Sequence, residues 1–455
     1  MDVKNLHSIF FIGIGGIGMS ALARWFNRHD KVVAGYDRIE SPLTRQLVEE
    51  GIEVIYDENI DKIASSFSNP QNVLIVYTPA IPEDNAIINF FRNGYEMKKR
   101  SEVLGMITSD HYTIAVAGTH GKTTTSTMIS HILHNSNRNV TAFLGGISSN
   151  YETNILIAAE TDNEVIVVEA DEYDRSFLTL HPDYAIITSI DADHLDIYLN
   201  AKNLEDSFVA FTKKLSTNGK LIMSTKVSSE RLEANSKSLY GFSGADSKAE
   251  NVRIEDGYFT FDYSDPDYTI KNIRLLQPGY HNVENAVAAI KTCLDQGLSV
   301  EEVKNGLHTY KGVKRRFEYI IRTDDLVFID DYAHHPVEID AFLRSLKAMY
   351  PEKRVTAVFQ PHLYSRTADF AAEFGTSLTL ADEVILLEVY PAREKPLKGV
   401  TSKLILDNIG HQNKRIINKS QVVSSLDPTE IQVLATIGAG DIDQLVLPIK
   451  QKLTA

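Results

Sequence analysis

The sequence has almost no cysteine. Cys293 is the only one in 455 residues, which excludes an internal disulfide framework, offers no thiolate set for a metal, and fits a reducing compartment. The residue itself reads as a small core side chain. Basic residues are in deficit: 46 Lys and Arg face 61 Asp and Glu, a formal charge of -15. A general electrostatic grip on nucleic acid or an anionic membrane is therefore excluded, and anionic ligands must be met by a few placed groups. Low-complexity tracts and internal repeats are lacking, and 43% hydrophobic with 24% charged residues is ordinary globular usage, which rules out disorder and fibrous repeats. Long apolar runs are scarce too. Leu6 to Ala23 carries no charged side chain and reaches the length at which a membrane span is considered, but Gly13, Gly15, Gly16 and Gly18 interrupt it and no basic segment precedes it. The run reads as a strand, a glycine turn and a helix. At about 150 residues per domain, the length predicts roughly three domains.

Strand and helix patterns alternate along the chain, which implies parallel sheets. Ser8–Ile12 is a short apolar strand, Met19–Asn27 has helical spacing of Leu22, Trp25 and Phe26, and Val32–Tyr36 is a second strand ending at Asp37. A second start follows: the strand Thr113–Ala117, the loop Gly118-Thr-His-Gly-Lys-Thr-Thr-Thr125, and a helix to about Asn135. Short alternating runs from 238 to 276, such as Tyr258-Phe-Thr-Phe-Asp-Tyr263, predict antiparallel hairpins. A third start, Val327–Ile329 and then Asp330-Asp-Tyr-Ala-His-His-Pro336, opens a helix at the proline. Domain boundaries fall near 107/108 and 315/316.

Two loops suit phosphate. Gly13-x-Gly15-x-x-Gly18 lies between a strand and a helix, with Asp37 at the end of the next strand. Its glycines let the backbone approach a diphosphate, and the helix start supplies N–H donors. A nucleotide diphosphate, a nicotinamide dinucleotide and a purely structural turn all fit these residues. Gly121-Lys122-Thr123 is sharper, because in a P-loop the lysine holds β- and γ-phosphates and the hydroxyl reaches Mg²⁺. The usual first glycine would fall at Val116, so this loop is shorter, with Gly118 in its place. The apolar strand Val165–Val168 runs into Glu169, a hard oxygen donor suited to Mg²⁺. Asp171, Glu172 and Asp174 read as solvated acids or supports behind it. His194 reads equally as a second metal ligand or a loop cap.

Gly118–Thr125, Glu169-Ala-Asp-Glu172, Asp193-His-Leu-Asp196, Gly279-Tyr-His-Asn-Val-Glu-Asn285, Arg315-Arg-Phe317, Asp330–Pro336 and Gly438-Ala-Gly-Asp441 occur in the order found in Mur ligases. Together with Gly13-Ile-Gly-Gly-Ile-Gly-Met-Ser-Ala-Leu-Ala23, they make nearly the whole chain resemble that family, and most of all its alanine-adding members. The resemblance implies an α/β protein of three domains: a Rossmann-like UDP-sugar domain (1–107), a P-loop ATPase-like domain with added antiparallel strands (108–315), and a Rossmann-like domain contributing nucleotide and amino-acid contacts (316–455). It implies a cytoplasmic enzyme, monomer or homodimer, with no membrane span and no nucleic-acid partner. Its reaction would join L-alanine to the lactyl carboxylate of UDP-N-acetylmuramate through an acyl phosphate, using ATP and two Mg²⁺. The nearest alternative is ligation of recycled murein tripeptide, and a remoter one is an NAD-dependent oxidoreductase.

Carried over residue by residue, the resemblance puts Gly13, Gly15, Gly16, Gly18, Met19, Ser20 and Asp37 at the UDP-sugar. It puts Gly118, Thr119, His120, Gly121, Lys122, Thr123 and Thr124 around ATP, and Thr123, Glu169 and His194 on the metal. Asn282 and Asn285 would face adenine, Arg316 the ATP phosphates and Asp331 the ribose, with Lys122, His194 and Arg316 closest to the chemistry. Asn282 reads also as a helix cap, and Arg316 as half of a surface ion pair. There are two departures. Thr188-Ser-Ile190 stands where the family has Thr-Asn-Ile, and Leu363 stands where an arginine usually follows His362. The second leaves Arg366 and His335 as the amino-acid contacts.

Overall fold

Contiguous apolar runs become the inner strands of three sheets in the computed structural model, which describes residues 6–159, 163–191, 198, 200–227, 229–392 and 394–454. The first sheet comprises β1 (Ser8–Ile12), β2 (Val32–Tyr36), β3 (Glu53–Ile55), β4 (Val73–Tyr77) and β5 (Glu96–Lys99), all parallel in the order β3-β2-β1-β4-β5. Every residue of β1 is buried, as a strand covered on both faces requires. The strand order reverses between β1 and β4, and a ligand crevice forms at such a reversal, outside the carboxyl ends of the strands. The glycine loop leaves β1 there and enters the helix Ile17–Arg28, which buries Met19, Leu22, Trp25 and Phe26. The charge-free stretch is thus strand, turn and helix as expected, and no helix among the described residues is long and apolar enough to cross a membrane.

The second sheet has ten strands: β6 (Tyr112–Ala117), β7 (Val140–Phe143), β8 (Ile155–Leu156), β9 (Val165–Ala170), β10 (Tyr184–Ile187), β11 (Lys220–Ser224), β12 (Ser236–Gly241), β13 (Ser247–Glu255), β14 (Tyr258–Ser264) and β15 (Thr269–Leu275). Their order is β15-β14-β13-β12-β11-β10-β6-β9-β7-β8. β6 lies between β10 and β9, parallel to both, with Ala117 opposite Ile187 and Ala170. The phosphate-type loop therefore emerges between the carboxyl ends of two parallel neighbours and starts the helix Lys122–Asn135. The hairpin expectation for 238–276 holds for part of that segment. Asp256 and Gly257, both with positive φ, make a two-residue turn between β13 and β14, a conformation that matches hairpin twist. β12, by contrast, pairs parallel with both β11 and β13, because the alternation read along the sequence sets faces and not strand direction.

The third sheet contains β16 (Glu318–Arg322), β17 (Val327–Asp331), β18 (Val355–Phe359), β19 (Glu383–Leu386), β20 (Lys414–Ile416) and β21 (Val433–Ile437), in the order β16-β17-β21-β18-β19-β20. Only β16 runs antiparallel to its neighbour. Asp331 ends β17 opposite Ile437. Contacts group the chain into two units, one of Met1–Ala249, Tyr263–Thr269 and Asn285–Thr309, the other of Glu250–Asp262, Ile270–Glu284 and Tyr310–Ala455.

Candidate functional site

In the first unit, the glycine loop is tied to β2 and its end. Gly13 and Ile14 donate their N–H groups to Tyr36 O at 2.7 and 3.0 Å, and Gly15 donates to Asp37 Oδ2 at 2.8 Å. Asp37 thus fixes the loop itself. Gly16 caps the helix Ile17–Arg28 without any side-chain hydrogen bond, and no acid lies in the first turn. Such a helix start favours an anion. Met19 and Ser20 take other duties: Met19 packs in the core, and the Ser20 hydroxyl donates to Gly16 O and Ile17 O while accepting from Asn154.

The second loop is held from three sides. Gly118 has φ +133° and Gly121 has φ +82°, both in the region where side chains are strained. Thr188 Oγ1 donates to Ala117 O at 3.1 Å and also bonds His120 O. Ser189, the departure from the family pattern, accepts from His120 N at 2.9 Å and pairs with Thr119 Oγ1 at 2.8 Å, while Thr119 N donates back to Ser189 O at 3.1 Å. Asn285 lies against the other side of the turn, since a Cβ on Gly121 would come 2.8 Å from its Oδ1.

Lys122 opens the helix and turns its ammonium back to Gly118 O at 2.6 Å. It also pairs with Glu172, the closest approach being 2.8 Å, with Glu172 fully buried. Glu172 is therefore a direct, buried partner of the loop lysine and not a solvated acid. Burial alone would depress the Lys122 pKa, but the carboxylates of Glu172, Asp171 and Glu169 outweigh it and hold the ammonium above its ordinary range.

Glu169, next to last in β9, is opposite Val116 of β6 and lies directly against Gly145, where any Cβ would overlap its carboxylate. Thr123, in the first turn of the Lys122 helix, is 9% exposed. Hydroxyl and carboxylate oxygens are each donors that suit a hard divalent cation. His194, the expected further ligand, lies outside the described residues, and among the described residues no three His, Cys, Asp or Glu side chains converge on a metal position.

The second unit carries the remaining candidates. Asn282 donates its amide to Pro278 O at 2.7 Å, a bond that satisfies a carbonyl ahead of the helix and caps none of the N–H groups of its first turn. Arg316 lies 3.6 Å from Glu338 and 5.2 Å from the Tyr332 ring centroid. Asp331 accepts from Phe317 N at 2.7 Å and Ala333 N at 2.8 Å. Burial nevertheless pushes its pKa up to about 6, against the opposing pull of Arg316 and these N–H donors. His335 is 5% exposed and packs edge-on against Phe370. The histidine nearer the charged groups is its neighbour His334, whose Nδ1 is 3.4 Å from Glu338 and whose pKa burial pulls down to about 4, with Arg366 and Arg316 assisting and Glu338 opposing.

Asp331 and His334 give opposite slopes of stability with pH. Asp331, raised above its ordinary value, binds a proton in the folded state that the unfolded chain releases, so its contribution is lost as pH rises from about 4 through about 6. His334, lowered, is bound by a proton in the unfolded chain first, so its contribution is lost as pH falls from about 6.5 through about 4. The two offset each other in the native protein. Asp331→Asn is expected to expose the histidine slope, so that its unfolding midpoint falls more steeply than the parent's on acidification from pH 6.5 to 4.5 in denaturant titrations.

Comparison with known proteins follows the same division of loops. Residues 8–112 match the Mur ligase family catalytic domain, 116–293 the Mur ligase middle domain, and 315–443 the Mur ligase glutamate ligase domain. A UDP-N-acetylmuramate–L-alanine ligase of Cytophaga hutchinsonii is 48% identical, over 99% of this chain and 97% of its own. One from Porphyromonas gingivalis is also 48% identical, over 98% of each chain. Among solved structures, the UDP-N-acetylmuramate–alanine ligase of Thermotoga maritima is similar with a TM-score of 0.83 at 26% identity, covering 98% of this chain and 99% of that one.

Proposed function

The chain belongs to the Mur ligase family, and from that premise we propose that it joins L-alanine to the lactyl carboxylate of UDP-N-acetylmuramate, converting ATP to ADP and phosphate. The observation that carries the reading is Lys122, an ammonium fixed at the mouth of a glycine-bounded loop by Gly118 O and Glu172, with Glu169 on the adjacent strand. In this proposal, residues 1–107 take the UDP-sugar on the 13–18 loop, 108–315 take ATP, and 316–455 contribute Arg316, Asp331, Arg366 and the His334–His335 pair.

A carboxylate is a poor electrophile toward an amine. In the proposed reaction, a lactyl carboxylate oxygen attacks the γ-phosphorus, the bond to the bridging oxygen breaks, and ADP leaves. The alanine amine then attacks the acyl carbon, loses a proton, and the tetrahedral intermediate expels phosphate. Both partners of the first step are anions, so the protein's work is positioning and charge neutralisation. Lys122 and the N–H groups at the start of its helix face the transferring phosphoryl group. Thr123 and Glu169, with His194, would hold Mg²⁺, which supplies Lewis-acid neutralisation of phosphate charge when bound. Steady-state ADP release tests the reading. It should require UDP-N-acetylmuramate and L-alanine together, and ADP release undiminished when alanine is omitted would contradict it.

A further inference from the structure

A cation that no motif pointed to lies between the first glycine loop and the acidic segment that follows β9. Arg100 is the first residue of the helix Arg100–Thr108, and its guanidinium lies along the turn that follows the first glycine loop. A Cβ on Gly18 would come 2.6 Å from its Nη1, 2.9 Å from Cδ and 3.2 Å from Cζ. On the other side, its Nη2 is 3.8 Å from Asp171 Oδ2, between Glu169 and the Lys122 partner Glu172 in sequence. That separation is beyond hydrogen-bonding distance, so Asp171 balances the charge without occupying the donor fork. The arginine side chain is 25% exposed and the aspartate 39% exposed, so the cation is reachable by a ligand.

Both supports of this position are tied down by hydrogen bonds and close packing. The Arg100 helix is docked by Thr179 Oγ1, which donates to Ser101 O at 2.8 Å, and by Gly105, where a Cβ would come 2.5 Å from Thr179 O. The glycine-loop helix is keyed by Asn154, which donates to Ile17 O at 2.6 Å and Ser20 Oγ at 2.9 Å, while Arg24 donates to Asn154 Oδ1 at 2.5 Å. Gly18 and Arg100 are therefore held together as a pair. A planar guanidinium beside an uncapped helix turn matches a diphosphate, whose oxygens accept from a donor fork and from backbone N–H groups together.

We propose that Arg100 binds the diphosphate of the UDP-sugar over the Gly18 turn. This rests on the reading of the 13–18 loop as the UDP-sugar site and adds to it a substrate-binding residue. The test is calorimetric titration of UDP, UDP-N-acetylmuramate and UDP-N-acetylglucosamine into the parent, Arg100→Ala, Arg100→Gln and Arg100→Lys. Loss of a charged hydrogen-bonding partner predicts about ten- to a hundredfold weaker binding of all three ligands by the first two variants, with partial recovery in Arg100→Lys and KM for ATP unchanged. Arg100→Gln keeps the stem and carries the test should Arg100→Ala not fold. Parent-like UDP affinity in Arg100→Gln would overturn the proposal. So would a loss confined to UDP-N-acetylmuramate, which would put the guanidinium on the lactyl carboxylate. If the parent itself binds none of the three ligands, the reading of the loop fails instead.

Discussion

Replacing Lys122 with alanine is expected to abolish ADP release that depends on UDP-N-acetylmuramate and alanine, a fall of at least about 10²–10³ in kcat, the scale of losing one preorganised charge at the reacting group. The same change should also weaken the fold, because it leaves the fully buried Glu172 carboxylate without its ammonium, and breaking a buried pair from one side costs about 3–5 kcal/mol. The two effects separate in the double variant Lys122→Ala/Glu172→Gln. Neutralising the acid removes the uncompensated charge, so thermal unfolding should recover toward the parent while turnover stays lost. Turnover near the parent level in either variant contradicts the role given to Lys122.

Gly118→Ala should be nearly as damaging without touching any charge. With φ at +133°, the backbone disfavours a side chain, and the added methyl would overlap Thr188 Oγ1 and approach Ser189 N to 2.8 Å. Thr188 and Ser189 are the residues that hold His120 and Thr119 in place, so relief must move the loop. A displacement of about 1 Å at a phosphoryl-transfer site costs ~10²-fold. The expected result is a loss of that order in kcat/KM for ATP, with circular dichroism showing retained secondary structure. A loss below threefold would mean that the loop conformation is not required.

What the sequence reveals of this architecture follows burial. Ser8–Ile12 and Val32–Tyr36 are read correctly to the residue, because strands inside a covered parallel sheet are nearly uninterrupted apolar runs. Glu96–Lys99 and Lys414–Ile416 are not legible as strands. They sit at sheet edges, where charged side chains are tolerated and discourage further pairing. At the candidate site, the glycines and Lys122 are visible because loop chemistry is local. Ser189 on His120, Glu172 on Lys122 and Arg100 on Gly18 join residues 69, 50 and 82 positions apart, which no periodicity reports. The choice between His334 and His335 likewise depends on which ring the helix beginning at Pro336 turns inward, and there the buried contact with Phe370 takes His335.

The most direct measurement of the central claim follows oxygen. UDP-N-acetylmuramate labelled with ¹⁸O in both lactyl carboxylate oxygens is incubated with ATP, Mg²⁺, L-alanine and the protein, and products are weighed by mass spectrometry. Ligation through an acyl phosphate at the Lys122 loop predicts the L-alanyl product with one retained label and inorganic phosphate carrying the other. Unlabelled phosphate alongside the alanyl product, or ATP consumed without that product, would contradict the account.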